Sequence, residues 1–269
     1  MFICVMFVNM SENSFNVKEI LEFYIMSGVD ETCGDVTFSQ HTEVKKDSDE
    51  IKNKPVISSS NIHIALDAKK AVESANAICE NVITIEDLKK IVENFEGCSL
   101  KSTALNTVIG DGNPSAKIMF IGEAPGADED RIGRAFVGRC GQLLDKMLSS
   151  IGLNRDNCYI CNVLPWRPPG NRTPSDSEIA VCLPFLKKQI EIVDPDIIFA
   201  LGAVAVNTLL DYAESISKLR GKWLEYKTSK GKIVHVMAGY HPAYLLRTPA
   251  QKAKAWSDFL RLKKKLEEN

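Results

Sequence analysis

Four short apolar segments, spaced widely along the chain, most restrict how it can fold. They are residues 117–121, 158–163, 196–201 and 232–237. Each has the length of a β-strand, and the intervals between them are long enough for a crossover helix. Strands that alternate with helices predict a parallel sheet that is covered on both faces. We therefore expect an α/β protein, a three-layer α/β/α sandwich around a central four-stranded parallel sheet.

Helical patterns occupy the intervals between these segments. Residues 141–151, 175–193 and 203–212 predict helices that cover the sheet, and residues 249–268 predict a C-terminal helix with a basic end. A further helix is expected to begin at Thr84, because Glu86 and Asp87 would lie in its first turn.

The N-terminal part of the chain lacks this rhythm. Residues 16–27 have the apolar spacing of a helix, residues 32–61 are polar and charged without a period, and residues 65–80 are rich in Ala and Lys. These patterns predict an extension over residues 1–80 that is partly helical and partly disordered. A compact domain over residues 81–269 is expected to follow it.

The composition suits a cytoplasmic protein. No segment is long and apolar enough to suggest a membrane span. Residues 1–10 are apolar but lack the basic start of a signal peptide. We expect instead that translation begins at Met6 or Met10. The eight cysteines are scattered, which is typical of reduced thiols in a cytosol. Cys158 and Cys161 lie in a predicted strand and are expected to be buried small hydrophobic residues. We expect a monomer.

Charge is distributed unevenly. The net charge is −2, but residues 131–172 contain seven basic residues and two acidic ones. A basic centre in a mildly acidic protein favours an anionic ligand on one face, with an ordinary solvated surface as the alternative.

The residues that follow the predicted strands are unusual for a plain core. Glu123 follows the first strand, residues 166–172 follow the second, Gly202 follows the third and residues 239–247 follow the fourth. Because the carboxyl ends of parallel strands meet at one edge of a sheet, these loops predict a cleft. Glu123 is thus a site candidate, with a solvated residue in a Gly-Pro turn as the alternative.

Five motifs in these segments together resemble the family 4 uracil-DNA glycosylases. They are Gly-Glu-Ala-Pro-Gly-Ala-Asp-Glu-Asp from Gly122, Gly-Arg-Ala-Phe-Val-Gly-Arg from Gly133, Asn162 ahead of Arg-Pro-Pro-Gly-Asn-Arg, Arg-Gly-Lys-Trp from Arg220, and His-Pro-Ala-Tyr-Leu-Leu-Arg from His241. Their order makes the resemblance specific, and it covers about residues 97–266. It implies an enzyme whose partner is uracil-containing DNA. Such an enzyme rotates deoxyuridine out of the DNA and hydrolyses its N-glycosidic bond, leaving an abasic site.

The resemblance also implies which residues bind the base. Phe136 resembles the residue that stacks on the flipped ring, with core packing as the alternative. Asn162 can offer an amide oxygen and an amide NH2 to uracil N3–H and O4, which would reject cytosine; a local turn is the alternative. His241 resembles the residue that stabilises uracil O2. Ala124 stands where related glycosylases have Asp.

A carboxylate must orient or deprotonate the attacking water, and Glu123 and Glu129 are the candidates. Glu129 has two alternatives, a wall against the thymine methyl group and a solvated acid. No lysine occupies a motif position suited to Schiff-base attack. We therefore expect a monofunctional enzyme that uses water as its nucleophile.

Basic and apolar loop residues are the predicted DNA contacts. The segment 244–247 resembles a loop that presses into the minor groove, with Leu245 or Leu246 as its wedge. Each arginine could equally be a solvated surface residue. The predicted DNA-binding residues are Arg134, Arg139, Arg167, Asn171, Arg172, Tyr244, Leu245, Leu246 and Arg247.

One departure from the family concerns its iron–sulfur cluster. Family 4 enzymes usually hold a four-cysteine cluster, and the matching positions here are Cys98, Lys101, Trp166 and Cys182. A cluster needs about four protein ligands. We therefore expect no cofactor and no metal, with Trp166 filling the space.

Two other functions remain open on the sequence. One is a non-catalytic protein that binds damaged DNA or acts with replication proteins, and the other is a glycosylase for another deaminated or damaged base. The joint presence of Glu123, Asn162 and His241 favours catalysis, whereas Ala124 leaves the choice of base open.

Overall fold

The computed structural model describes residues 59–210, 212 and 214–268. The helix expected at residues 16–27 lies outside the described residues, as does most of the linker expected at residues 32–61. The described helices are α1 (Ser59–Cys79), α2 (Ile85–Asn94), α3 (Ala127–Ile132), α4 (Arg139–Ser149), α5 (Asp176–Val193), α6 (Ala203–Leu210), α7 (Ile216–Leu219), α8 (Pro242–Arg247) and α9 (Lys252–Glu268). The described strands are β1 (Gly110–Gly112), β2 (Ile118–Gly122), β3 (Tyr159–Asn162), β4 (Ile197–Leu201), β5 (Trp223–Lys227) and β6 (Ile233–Gly239).

The strands form one mixed sheet in the order β1-β3-β2-β4-β6-β5. The four predicted strands are confirmed as its parallel centre, β3-β2-β4-β6. Within the described residues the sheet has six strands rather than four, because β1 and β5 pair antiparallel at its two edges. The sequence analysis missed both edge strands. β1 has only three residues, and β5 is half-exposed and lacks the continuous apolar run of a central strand.

Alternate residues of each central strand face different helical layers, as the pleat of a strand requires. On β2, Ile118 and Phe120 belong to the core cluster that also contains α4 and α9 residues. Met119 and Ile121 belong to the cluster built with α1, α2, α5 and α6. Burial on both faces explains why β2 is apolar at every position. The three-layer α/β/α arrangement is therefore confirmed.

The covering helices begin where the sequence predicted, to within a few residues. Ser175 caps α5 in a capping box with Glu178, and Thr84 caps α2 by accepting a hydrogen bond from the backbone N–H of Asp87. The helices α3, α7 and α8 were not predicted, because four to six residues are too few to show a helical period. None of the described helices is both long and apolar enough to cross a membrane.

Helix α1 is part of the same core as the sheet. It includes the last three residues of the expected linker, and it packs along α5. Ala75 is 0% exposed and Cys79 is 5% exposed within the core cluster that contains the central strands. The predicted domain boundary between residues 80 and 81 would therefore divide α1 from the core to which its residues belong.

Candidate active site

A cleft of about 450 Å³ opens at the carboxyl ends of the parallel strands. The loops that follow β2, β3 and β6 contribute its walls, as the sequence predicted for this edge of the sheet. The residues that line it are Glu123, Ala124, Pro125, Gly126, Glu129, Phe136, Cys140, Asn162, Pro168, Asn171, Arg172, Thr173, His241, Ala243, Tyr244 and Arg247. The structure thus brings all six predicted catalytic and base-binding residues to one place.

Asn162 supplies an unpaired hydrogen-bond acceptor to this cleft. It is the last residue of β3, where it lies opposite Gly122 of β2, and it is 3% exposed. Its Oδ1 is buried and has no hydrogen-bond partner among the described residues. A buried acceptor without a donor costs free energy, so this oxygen is a candidate to accept a hydrogen bond from a ligand.

Gly122 makes room for both Asn162 and Phe136. A Cβ at position 122 would lie 2.5 Å from Oδ1 of Asn162 and 2.5 Å from Cζ of Phe136. Asn162 and Phe136 are only 3% and 4% exposed, so neither side chain can move aside cheaply. A glycine at this strand end is therefore required by the close approach of the two proposed base-binding side chains.

Phe136 lies beside His241 in the wall of the cleft. The two ring centroids are 5.8 Å apart with an interplanar angle of 37°. Phe136 is 4% exposed, and its φ of 54° places it in the left-handed region that few residues with a Cβ adopt. The alternative of core packing and the predicted stacking role are both compatible with this position, since the ring belongs to a core cluster and also lines the cleft.

His241 is a neutral hydrogen-bond donor at the end of β6. It caps α8, where its Nδ1 accepts a hydrogen bond of 3.1 Å from the backbone N–H of Ala243. Burial, assisted by the nearby charge of Arg247, lowers the pKa of His241 to about 4. Because Nδ1 is an acceptor and the ring is neutral at physiological pH, the ring proton lies on Nε2.

Glu123 follows β2 directly and is half-buried in the cleft. Burial raises the pKa of its carboxyl group, because removal from water disfavours the charged form. No hydrogen bond to this carboxylate is formed within the part of the chain that the structure describes. Its carboxylate oxygens are therefore available to accept a hydrogen bond from a water molecule.

Glu129 differs from Glu123 although both line the cleft. Its Oε1 accepts hydrogen bonds from the backbone N–H groups of Val137 (2.9 Å) and Gly138 (2.8 Å), and its Oε2 accepts one from Gly126 (3.1 Å). Its 8% exposure rules out the alternative of a solvated acid. Its carboxylate is occupied by three backbone donors, so it is suited to fix two loops rather than to activate water.

The predicted DNA-binding arginines fall into two groups. Arg134 pairs with Asp111 (2.9 Å), and Arg172 forms two hydrogen bonds with Glu178 (2.9 and 2.6 Å). The hydrogen bond from Arg172 is the chief cause that lowers the pKa of Glu178 to about 2.

The remaining predicted DNA-binding arginines form no ion pairs with carboxylates of the described residues. Arg167 donates to Oδ1 of Asn171 (2.7 Å). Arg139 and Arg247 are exposed and make no ion pair within the described residues; Arg247 lines the cleft, and Arg139 precedes Cys140, which also lines it. These two are therefore the guanidinium groups most available to phosphates.

The segment 244–247 is helical rather than a loop, since it belongs to α8. Leu245 is 0% exposed and packs with Tyr240 and Ala255, so its prediction as a wedge is wrong. Leu246 is only partly buried, and Tyr244 lines the cleft. Helical geometry turns neighbouring side chains about 100° apart, which explains why one leucine is buried and the next is not.

The residues at the family's cluster positions do not fit a four-cysteine cluster. Sγ of Cys98 and Sγ of Cys182 are 4.0 Å apart, and both thiols are buried. Lys101 instead forms an ion pair with Glu96. The indole of Trp166 is 1% exposed and donates to Oγ1 of Thr107 (3.0 Å). Within the described residues there is no group of three or more His, Cys, Asp or Glu side chains that could hold a metal ion.

Several residues of the site were missed by the sequence analysis. Cys140, Pro168, Thr173 and Ala243 line the cleft, but nothing in their type suggests a role. Arg220 was noticed only as part of a motif. Its guanidinium binds both carboxylate oxygens of Asp258 (2.6 and 3.0 Å), which fixes α9 to the segment that precedes β5.

Comparison with known proteins shows the family of the chain. The model of the uracil DNA glycosylase superfamily matches residues 109–260. A type-4 uracil-DNA glycosylase of Thermotoga maritima is 44% identical over 169 residues, which cover 61% of this chain and 86% of the relative. Type-4 uracil-DNA glycosylases of Archaeoglobus fulgidus (40% identical; 66% of this chain, 92% of the relative) and Pyrobaculum aerophilum (39% identical; 65% and 90%) are similar to it as well. The resemblance found from the motifs is thus confirmed, and the chain belongs to the uracil DNA glycosylase superfamily.

Proposed function

We propose that this protein is a DNA repair glycosylase that hydrolyses the N-glycosidic bond of deoxyuridine and leaves an abasic site. The observation that carries the proposal is the unpaired Oδ1 of Asn162, buried in a cleft beside Phe136. Uracil presents N3–H, a donor that would complete this acceptor. Cytosine has a bare N3, which would leave two acceptors facing each other.

The base would be held out of the DNA between a ring face and fixed polar groups. A cleft of about 450 Å³ has the size of a small-molecule site. Stacking on Phe136 and hydrogen bonds to Asn162 would replace the stacking and pairing that the base loses on leaving the helix. Ala124 also lines the cleft and would contribute a small apolar wall.

His241 would stabilise the departing base. As the glycosidic bond breaks, negative charge accumulates on uracil, and a donor aimed at O2 lowers the energy of that state. The neutral Nε2–H of His241 can supply this hydrogen bond without first being protonated. A pKa of about 4 keeps the ring in this form at neutral pH.

Glu123 would position and deprotonate the attacking water and favour the positive charge that develops on the sugar. Its raised pKa makes it a stronger base than an exposed glutamate. Among the described residues no lysine lines the cleft, which supports water as the nucleophile and an enzyme that does not cut the strand. We assign to Glu129 the support of the loops and not the chemistry.

DNA would approach across the mouth of the cleft. Arg139 and Arg247 are exposed there and would neutralise phosphates, with Arg167 and Asn171 beside them. Arg134 and Arg172 already pair with Asp111 and Glu178, so they would contribute less to DNA binding. Leu246 takes the wedge role, and Tyr244 lines the path of the flipped nucleotide.

We propose further that the protein works without an iron–sulfur cluster. The support is chemical: two of the four required thiolates are absent, and the buried Trp166 has its own hydrogen bond to Thr107. Anaerobically purified protein is expected to contain no stoichiometric iron and to lack charge-transfer absorption in the visible range. Iron bound in a fixed ratio to protein would contradict this proposal.

We also propose that the protein acts as a monomer in the cytoplasm. The residues proposed for catalysis and base binding all line one cleft, so the site needs no second copy. The described cysteines, Cys79, Cys98, Cys140, Cys158, Cys161 and Cys182, are all free thiols. Sedimentation equilibrium is expected to give the mass of one chain, and a stable dimer would contradict the proposal.

Abasic-site formation tests the proposed activity. Oligonucleotides with a single uracil, as single strands and opposite G or A, are incubated with the enzyme and cleaved with alkali. We expect cleavage by the wild type and a decrease of about 100-fold or more for Asn162→Ala and His241→Ala. Asn94→Ala and His235→Ala, which lie outside the cleft, are the matched controls and should remain active.

The outcome separates the proposed activity from the alternatives. A folded wild type that cleaves no uracil substrate but binds DNA would be the non-catalytic protein. Cleavage that prefers another deaminated or damaged base would change the substrate but retain the reaction.

A further inference from the structure

Two side chains from outside the segment that carries Phe136 form hydrogen bonds with its backbone. We call residues 133–138 the Phe136 loop. Phe136 has φ of 54°, and a side chain with a Cβ is disfavoured in this left-handed conformation. Such a conformation persists only where the surrounding structure enforces it, and it is common where a residue must be held for function.

Glu129 holds the C-terminal half of the Phe136 loop. It accepts hydrogen bonds from two consecutive amides, those of Val137 and Gly138. Glu129, from the motif that begins at Gly122, thus restrains the motif that begins at Gly133. A carboxylate cannot donate to a carbonyl oxygen, so the carbonyl groups of Ala135 and Phe136 need a different partner.

Arg155 holds those carbonyl groups. Its Nη1 donates to the carbonyl oxygen of Ala135 (3.0 Å), and its Nη2 donates to that of Phe136 (2.5 Å). The planar guanidinium can span two neighbouring acceptors in a fixed geometry, which a lysine cannot do. Arg155 belongs to none of the five motifs and does not line the cleft.

Arg155 is itself fixed by two carboxylates. It forms ion pairs with Asp111 and with Asp145, the second at 3.1 Å between Nε and Oδ1. Its side chain is 22% exposed, so it has little freedom to choose other partners. Asp145 lies on α4 and Asp111 on β1, and the guanidinium therefore connects the Phe136 loop to two elements of the fold.

Helix α4 closes the space behind the same carbonyl. A Cβ at Gly141 would lie 1.7 Å from the carbonyl oxygen of Phe136. The carbonyl of Phe136 therefore lies between helix α4 and the guanidinium of Arg155, which donates to it. The backbone around Phe136 is thus restrained by Glu129, by Arg155 and by the close approach of Gly141.

We propose that Arg155 is a positioning residue for base recognition, which acts by fixing the left-handed backbone at Phe136 so that its ring can stack on the flipped base. This inference rests on the proposed function. An arginine that only stabilises the fold would affect unfolding and not the geometry of the cleft, so the two roles are separable by experiment.

The test compares Arg155→Lys and Arg155→Ala with the wild type under single-turnover conditions at saturating DNA. Arg155→Lys retains the positive charge between Asp111 and Asp145 but cannot bind both carbonyls, so the variant should fold. We expect its excision rate to fall about 10-fold and that of Arg155→Ala about 100-fold, since small displacements of positioning groups have effects of this size. Lys232→Ala is the matched control. It removes a half-buried lysine that pairs with Asp194 and Asp196 away from the cleft, and should leave the rate unchanged.

A double-mutant cycle identifies the residue through which Arg155 acts. In a Phe136→Ala background the substitution Arg155→Lys is expected to cause no further decrease in rate, because the ring that it positions is gone. Equal decreases in both backgrounds, or a wild-type rate for Arg155→Lys, would overturn the proposal.

A spectroscopic measurement keeps the inference independent of activity. In protein labelled with fluorophenylalanine, the 19F resonance of Phe136 is assigned by its loss in Phe136→Leu. We expect this resonance to broaden or shift in Arg155→Lys and not in Lys232→Ala. An unchanged resonance in Arg155→Lys would overturn the positioning role, whether or not the wild type excises uracil. If the resonance changes as expected but the wild type excises no uracil, only the proposed function is overturned.

Discussion

At the scale of single residues, burial determines which chemistry each side chain of the cleft can perform. Asn162 is buried with an unpaired acceptor, His241 is partly buried as a neutral donor, and Glu123 is half-buried with a raised pKa. The same residue types on an exposed surface would be solvated and unselective. The sequence predicted these three residues and their common location. It could not predict that Leu245 points into the core, because the helical turn at residues 242–247 is too short to show a period.

The titration of Glu123 should govern the acid side of the pH profile. Its raised pKa lies above the usual 4.5, whereas that of His241 is about 4. As the pH falls through the raised value, the carboxylate of Glu123 gains a proton and can no longer accept one from water. We expect the single-turnover excision rate of the wild type to decrease about tenfold per pH unit below that pKa.

The control for this profile is Glu123→Gln, which has no titrating group at the position. We expect a slower enzyme with no acid limb above the pKa of His241. If Glu123→Gln keeps the acid limb of the wild type, the group that titrates is not Glu123.

At the scale of elements, the site depends on loops whose backbone groups are bound by side chains. Glu129 links the loop after β2 to the Phe136 loop through three backbone N–H groups. The sequence placed Glu129 in the cleft but could not show which groups its carboxylate binds, because all of them are backbone atoms. It missed Arg155 for the same reason, since the partners of its guanidinium in the loop are two carbonyl groups.

Two substitutions at Glu129 distinguish support of the loops from catalysis. Glu129→Gln retains an oxygen that can accept from Val137 and Gly138, so its single-turnover rate should remain within about tenfold of the wild type. Glu129→Ala removes the acceptor of three backbone donors, and its rate should fall about 100-fold as the loops move. Equal and large losses for both variants would instead indicate that the carboxylate takes part in the reaction.

At the scale of the whole molecule, the parallel centre of the sheet could be predicted because its strands are apolar on both faces. The edge strands could not, since β1 is the tripeptide Gly-Asp-Gly and β5 alternates between half-buried and exposed residues. The role of α1 was also not predictable. Its Ala-rich sequence indicates a helix but has no wide apolar stripe, so only the structure shows that it packs along α5.

A pair of substitutions in α1 tests whether this helix belongs to the core. Ala75 is 0% exposed, whereas Ala77 lies on the exposed side of the same helix. Ala75→Glu would bury a charge without a partner, so we expect the free energy of unfolding to fall by about 3 kcal/mol and the melting temperature by roughly 10 °C. Ala77→Glu should melt as the wild type does. Identical melting of both variants would show that α1 is dispensable and would favour a domain that starts after residue 80.

The central claim is that Asn162 selects uracil through the hydrogen on N3. The most direct measurement compares the release of free base from two oligonucleotides that differ only at this atom, one with deoxyuridine and one with 3-methyldeoxyuridine. We expect rapid release of uracil by the wild type and no measurable release of 3-methyluracil, because the methyl group removes the donor that Oδ1 of Asn162 requires. Equal release of the two bases, or no release of uracil by the folded protein, would contradict the account.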